Sequence, residues 1–178
     1  MASGNHAQEL DAGFRHLVFA TGDLQARTER YAAYVEAFDY GNQDLTGDPG
    51  KDNGLTRAWL SSSLQISPRE QVAFLRRLVT GALPVSATAM ENTARITDHG
   101  ELPSGWRIHG KTGSGLPIGD DGIFDKGRAF GWFVGWAERG GNRFVFARLF
   151  DVARRQSPPP GYVARDTILA DLFSKKVC

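Results

Sequence analysis

Arg107-Ile108-His109-Gly110-Lys111-Thr112-Gly113-Ser114, then Phe130-Gly131-Trp132-Phe133-Val134-Gly135-Trp136, then Phe144-Val145-Phe146 across a turn: these runs decide the fold. Aromatic and β-branched residues of the kind that suit a pleated surface dominate the second and third runs. Between them, Arg139-Gly140-Gly141-Asn142 offers the residues that accept the backbone twist of a hairpin. Strands are expected over about 105–114, 130–138 and 142–150, joined as an antiparallel meander. The central strand is apolar at both parities, so both of its faces must be covered.

The cover comes from helices. Asp23 is placed to cap a helix over about 24–38, with Tyr31, Tyr34, Val35 and Phe38 at helical spacing. Asp39-Tyr40-Gly41-Asn42 stops it, and residues 43–58 read as a loop with turns at Pro49-Gly50 and Asn53-Gly54. Ser67-Pro68-Arg69-Glu70 is a helix start: a serine cap, a proline at the first helical position and a glutamate at the third. That helix continues through Val72, Phe74, Leu75, Leu78 and Val79 and ends at Gly81; Ser86 opens another that runs to about Ile96. After the strands, Ser157-Pro158-Pro159-Pro160-Gly161 is a rigid connector into a closing helix over about 162–174. Helices first, then a meander, then a helix is an α+β order, an antiparallel sheet covered by helices. A single domain over 1–178 is expected, in which residues 1–22 form a divergent start without a clear pattern.

The chain has 178 residues and a formal net charge of +1, which points to neither nucleic acid nor a membrane surface as a partner. Doublets such as Arg76-Arg77 and Arg154-Arg155 are isolated rather than part of a basic patch. No stretch is apolar for long enough to span a bilayer, and the first residues lack a secretory pattern, so the location is left open. Cys178 is the only cysteine, which rules out an internal disulfide and a cysteine-built zinc site. His6, His16, His99 and His109 show no metal-ligand spacing, and His109 is expected to face away from or flank the Lys111 strand. Asp120-Asp121-Gly122 and Asp125 lack the ligand repeat of a calcium loop.

Segments in a fixed order resemble the class D, oxacillinase-type serine β-lactamases of the penicillin-binding, transpeptidase-like superfamily. They are Phe38-Asp39-Tyr40-Gly41-Asn42, Ala58-Trp59-Leu60 leading into Leu64-Gln65-Ile66-Ser67-Pro68, His109-Gly110-Lys111-Thr112-Gly113, and Gly131-Trp132-Phe133-Val134-Gly135-Trp136. The resemblance runs over about 31–175. It implies a β-lactamase/transpeptidase-like fold and a cleft that takes a β-lactam or a peptidoglycan-like small molecule, with no metal or organic cofactor. Lys111 would carry charge beside the nucleophile, and Thr112 and Gly113 would take the substrate's carboxylate and acyl chain. The Ser114 N–H would form half of an oxyanion hole, while the Ser114 side chain has no evident role. Trp59 would pack beside the modified base, Tyr40 and Asn42 would line the rim, and Arg165 would pair with the carboxylate. Each has a plainer alternative: an edge-guarding lysine, a bulge glycine, a core tryptophan, a helix stop at Tyr40-Gly41-Asn42, or an arginine paired with Asp166 or Asp171. Arg148 competes with Arg165 for the carboxylate.

The family's nucleophile is the serine of Ser-x-x-Lys. No serine or threonine in this chain has a lysine three residues later, and Phe14-Arg15-His16 stands where the family places Ser-x-Val. An N-terminally truncated member is therefore expected, its fold incomplete at that end, with little or no catalysis. The alternatives are a noncovalent β-lactam or peptidoglycan-peptide binding or sensor module, and a non-functional truncated gene product.

Overall fold

The computed structural model describes residues 23–119, 123–154 and 156–174. Phe14-Arg15-His16 and Asp120-Asp121-Gly122 lie outside them. Among the described residues the elements run α1 (Leu24–Ala37), α2 (Gly54–Arg57), α3 (Pro68–Val79), α4 (Ala87–Ile96), β1 (Asp98–Glu101), β2 (Arg107–Gly115), β3 (Ala129–Arg139), β4 (Asn142–Val152) and α5 (Pro160–Phe173). The strands form one antiparallel sheet in the order β1-β2-β3-β4. The architecture is α+β, as the sequence indicated.

The helix starts behave as their chemistry dictates. Asp23 accepts from Ala26 N at 2.9 Å. Ser67 and Glu70 close a reciprocal capping box, with Ser67 N donating to Glu70 Oε2 at 2.7 Å and Glu70 N to Ser67 Oγ at 3.3 Å. Ser86 accepts from Ala89 N at 3.1 Å.

Two elements depart from the expectation. Within the 43–58 loop, Gly54–Arg57 forms one helical turn, because Asn53 turns its Oδ1 onto Asp48 N at 2.9 Å and folds the loop back on itself. The strand β1 is new: Asp98-His99-Gly100-Glu101 has neither alternation nor apolar content, and only its pairing to Arg107–His109 makes it a strand.

Alternation divides the sheet into two faces. Ile108, Thr112, Phe133, Ala137 and Phe146 share the face covered by α5. Ile108 and Phe133 are wholly buried there, in a cluster completed by Ala164, Ile168 and Phe173. His109, Lys111, Val134 and Trp136 share the opposite face, toward α3 and α4.

The start of α5 lies directly on the sheet. A Cβ at Gly131 would sit 2.1 Å from Pro160 C and 2.2 Å from Gly161 N, both backbone atoms that cannot swing aside. Gly131→Ala should therefore destabilise the fold by about 2 kcal/mol through overpacking, read by urea unfolding. An unchanged midpoint would show that α5 yields freely.

Candidate functional site

The site is built around an edge that β1 leaves open. Pairing between β1 and β2 runs from Asp98↔His109 to Glu101↔Arg107 and goes no farther toward Gly115. Just past it, Gly110 N donates to Thr97 O at 2.8 Å, so Gly110 turns its backbone groups outward, away from β3. Along an antiparallel strand this direction alternates, so Thr112 and Ser114 present their N–H and C=O to the same open side. The Ser114 N–H thus points where an added strand, or an oxyanion, would meet it.

Lys111 bends over this edge: its Nζ donates to Thr112 O at 2.6 Å. The residue is exposed, yet burial around its ammonium lowers the pKa below the ordinary lysine value. Its other flank borders a cavity of about 290 Å³ between the sheet and α3–α4, lined by Phe74, Leu75, Met90, Val134 and Trp136. A second depression, about 300 Å³, lies at the β3–β4 hairpin among Arg107, Glu138 and Arg143, and contains none of the candidate residues.

Ser114 acquires a role that its sequence context did not reveal. Its Oγ accepts the Gly161 N–H at 2.9 Å, pinning the first turn of α5 to the strand. A Cβ at Gly161 would lie 2.4 Å from Gly113 O, so only glycine allows this approach. One turn later, Arg165 donates from Nε to Asp166 Oδ1 at 2.7 Å and lies over the Tyr162 ring at 5.0 Å. Arg148 donates to Asp171 Oδ2 at 2.7 Å, farther along α5. Both arginines therefore take the plainer carboxylate pairing as well. Of the two, Arg165 is the one whose charge bears on His99, beside the start of the open edge.

Trp59 stands edge-on to Tyr31 of α1, ring centroids 6.0 Å apart. Burial, and secondarily Tyr40, pushes the Tyr31 phenol up to about 12. Two residues past Trp59, Ser61 adopts a left-handed φ of 57° and places its Oγ 2.7 Å from where a Gly115 Cβ would be. The Trp59 turn therefore abuts the end of β2 through Ser61. Tyr40 donates to Gln71 Oε1 at 3.0 Å and stacks edge-on with Phe74, so it reaches the cavity only through those residues. Burial raises its pKa. Asn42 is a loop clamp: Nδ2 donates to Ser63 O at 2.8 Å and Oδ1 accepts from Gln65 N at 2.9 Å.

His109 corrects the expectation. It is buried on the same face as Lys111, stacked on Trp136 at 4.8 Å with rings 6° apart, and its Nδ1 donates to Ala94 O at 2.8 Å. A two-residue step along a strand keeps a side chain on one face, which decides the matter.

His99, Gln71 and Ser61 were not singled out from sequence. His99 carries no motif; it reaches the site because β1 pairs there. Its Nε2 lies 3.1 Å from Gly110 O, and because a carbonyl only accepts, Nε2 holds the proton. Its ring meets Phe133 edge-on at 5.7 Å. Burial lowers its pKa below the ordinary 6.5; Arg165 and Lys111 add to this, and the Gly110 bond and Asp98 oppose it. The folded state then binds fewer protons than the unfolded state below pH 6.5, so stability falls as pH drops through that value. His99→Gln, which keeps a donor for Gly110 O, should flatten this slope in urea unfolding between pH 7.5 and 5. An unaltered slope would assign it to another group.

The geometry makes the comparisons with known proteins specific. The penicillin binding protein transpeptidase domain model matches residues 16–172. The β-lactamase OXA-9 of Klebsiella pneumoniae is 46% identical over 144 residues, 81% of this chain and 53% of that protein. OXA-1 of Escherichia coli is 43% identical over 114 residues, 64% of this chain and 39% of that protein. The crystal structure of the class D β-lactamase OXA-427 superposes with a TM-score of 0.78 at 43% identity, covering 89% of this chain and 62% of that one. The chain spans about half the length of the curated relatives it matches. It belongs to the penicillin-binding protein transpeptidase-domain family, and within that family it is class D β-lactamase-like.

Proposed function

We propose that this chain carries the binding half of a β-lactam site and holds such ligands without hydrolysing them. The observation that carries the reading is the open backbone edge from Lys111 to Gly115, with a cation bent over it and the Ser114 N–H directed outward. A penicillin's amide side chain would add to this edge as a short strand, and its carboxylate would meet Thr112 and the charges of Lys111 and Arg165. Trp59 and Tyr40 serve as wall and support, and Asn42 shapes the loop behind them. Turnover needs a hydroxyl activated by a base, and no Ser-x-x-Lys occurs in these 178 residues.

Benzylpenicillin titrated into the chain, followed by thermal shift and intact mass, tests this. The expected result is a concentration-dependent rise in Tm with the mass unchanged. Lys111→Ala should weaken binding about tenfold, the loss of one charge-assisted contact. No shift at any concentration would remove the binding reading, and a covalent adduct would restore the enzyme.

A further inference from the structure

The closing helix is capped by another element. An N-cap side chain normally accepts the N–H of the second or third helical residue. Pro159 stands at the cap position of α5 and makes no side-chain cap bond. Pro160, the first helical residue, has no N–H to satisfy. The first donor is therefore Gly161, and its N–H goes to Ser114 Oγ of β2 at 2.9 Å. Tyr162 N and Val163 N both turn to Pro159 O, at 3.0 and 3.4 Å. The strand thus supplies the oxygen that the helix's own cap position cannot.

Two glycines make this seat possible. A Cβ at Gly161 would meet Gly113 O at 2.4 Å, and one at Gly131 would meet Pro160 C at 2.1 Å, so the helix start rests on both β2 and β3. The helix can come no closer, and at its first turn the Ser114 bond opposes its lifting away. Arg165 rides on that turn. Tyr162 follows Gly161 directly, and the Arg165 guanidinium lies 5.0 Å over its ring. Arg165 gives its Nε to Asp166 at 2.7 Å, so the paired Nη groups are the end that a carboxylate would take. Ser114 also carries the N–H that faces the open side of β2. One residue therefore joins a backbone donor of the edge to the support of the arginine. Displacing the first turn of α5 displaces Arg165 relative to the Ser114 N–H.

We propose that Ser114, through its hydroxyl, is a positioning residue for carboxylate recognition: it caps α5 from the strand and so fixes Arg165 against the edge that the rest of the ligand meets. The proposal rests on the reading of the Lys111–Gly115 edge as a β-lactam site, and adds what sets the spacing between its two ends. The hydroxyl acts through Gly161, Tyr162 and Arg165. Losing it should therefore cost affinity only for ligands that carry a carboxylate.

The test is a double-mutant cycle on the full chain, read as the Kd for benzylpenicillin and for its methyl ester by amide-detected NMR titration. Arg165→Ala should weaken benzylpenicillin about tenfold, the loss of one charge-assisted contact. Ser114→Ala should weaken it about fivefold, the usual worth of a helix cap. The double variant should be no weaker than Arg165→Ala alone. The methyl ester, which lacks the charge, should bind the unmodified chain and Ser114→Ala alike. Tyr162→Leu keeps the cap and removes the ring beneath Arg165; it should weaken benzylpenicillin and spare the ester, and it decides the matter if Ser114→Ala does not fold. Equal weakening of both ligands by Ser114→Ala, losses that multiply in the double variant, or full affinity for benzylpenicillin in Tyr162→Leu would overturn the proposal while leaving the edge reading intact. Absence of saturable benzylpenicillin shifts in the unmodified chain would remove the edge reading, and this proposal with it.

Discussion

Nitrocefin should remain intact in the presence of this chain, with turnover at least about 10⁶-fold below that of a complete serine β-lactamase. The magnitude follows from what a nucleophile contributes: deleting it from a serine hydrolase leaves only binding and oxyanion effects. The groups present at the edge are of that residual kind. The Ser114 N–H is a donor, Lys111 is a charge, and Thr112 is a hydroxyl on a strand. The Ser114 hydroxyl is engaged structurally: its Oγ accepts the Gly161 N–H and pins α5 to the strand. Ser61, at a left-handed φ of 57°, places a further hydroxyl at the end of the edge, its Oγ 2.7 Å from where a Gly115 Cβ would be. Ser61→Ala is thus the informative control: any trace of hydrolysis that persists in it does not come from Ser61. Measurable burst acylation by the unmodified chain would end the non-catalytic reading.

Phe133→Ala should cost about 4 kcal/mol of stability, the usual range for emptying an aromatic site in a closed core. Phe133 is wholly buried, with Phe146 at 5.4 Å and His99 at 5.7 Å between ring centroids. It also closes against Gly110, where a Cβ would approach its ring to 2.7 Å. The consequence therefore extends beyond stability. Losing the ring frees His99 and slackens the Gly110 strand that leads into Lys111, so ligand affinity should fall together with the urea midpoint. A loss below about 1 kcal/mol would mean that the α5 face repacks as a loose cluster.

The sheet, its hairpin and the capped helices were legible because each carried a local signal. Gly140-Gly141 specified a turn, Ser67 and Glu70 specified a helix start, and the aromatic run at Phe130–Trp136 required cover on both faces. β1 was illegible for the opposite reason. Asp98-His99-Gly100-Glu101 has no strand propensity and is a strand only because β2 has an edge to offer. His99 enters the site through that pairing, which no spacing rule anticipates. Lys111, Thr112 and Gly113 were found by motif, and their common edge follows from strand order. The contributions of Ser61, Gln71 and the Ser114 hydroxyl depend on contacts between residues far apart in sequence, 47 positions for Ser114 and Gly161. The position of His109 was misread by neglecting the two-residue period that a strand imposes.

The edge from Lys111 to Gly115 is the surface that a β-lactam is proposed to meet. Amide-detected NMR of the labelled chain during a benzylpenicillin titration tests it most directly. The predicted result is saturable shifts concentrated at the outward N–H groups of Thr112 and Ser114, reversed on dialysis. Shifts confined to the β3–β4 hairpin or the outer side of β4, with Thr112 and Ser114 unmoved, would contradict it.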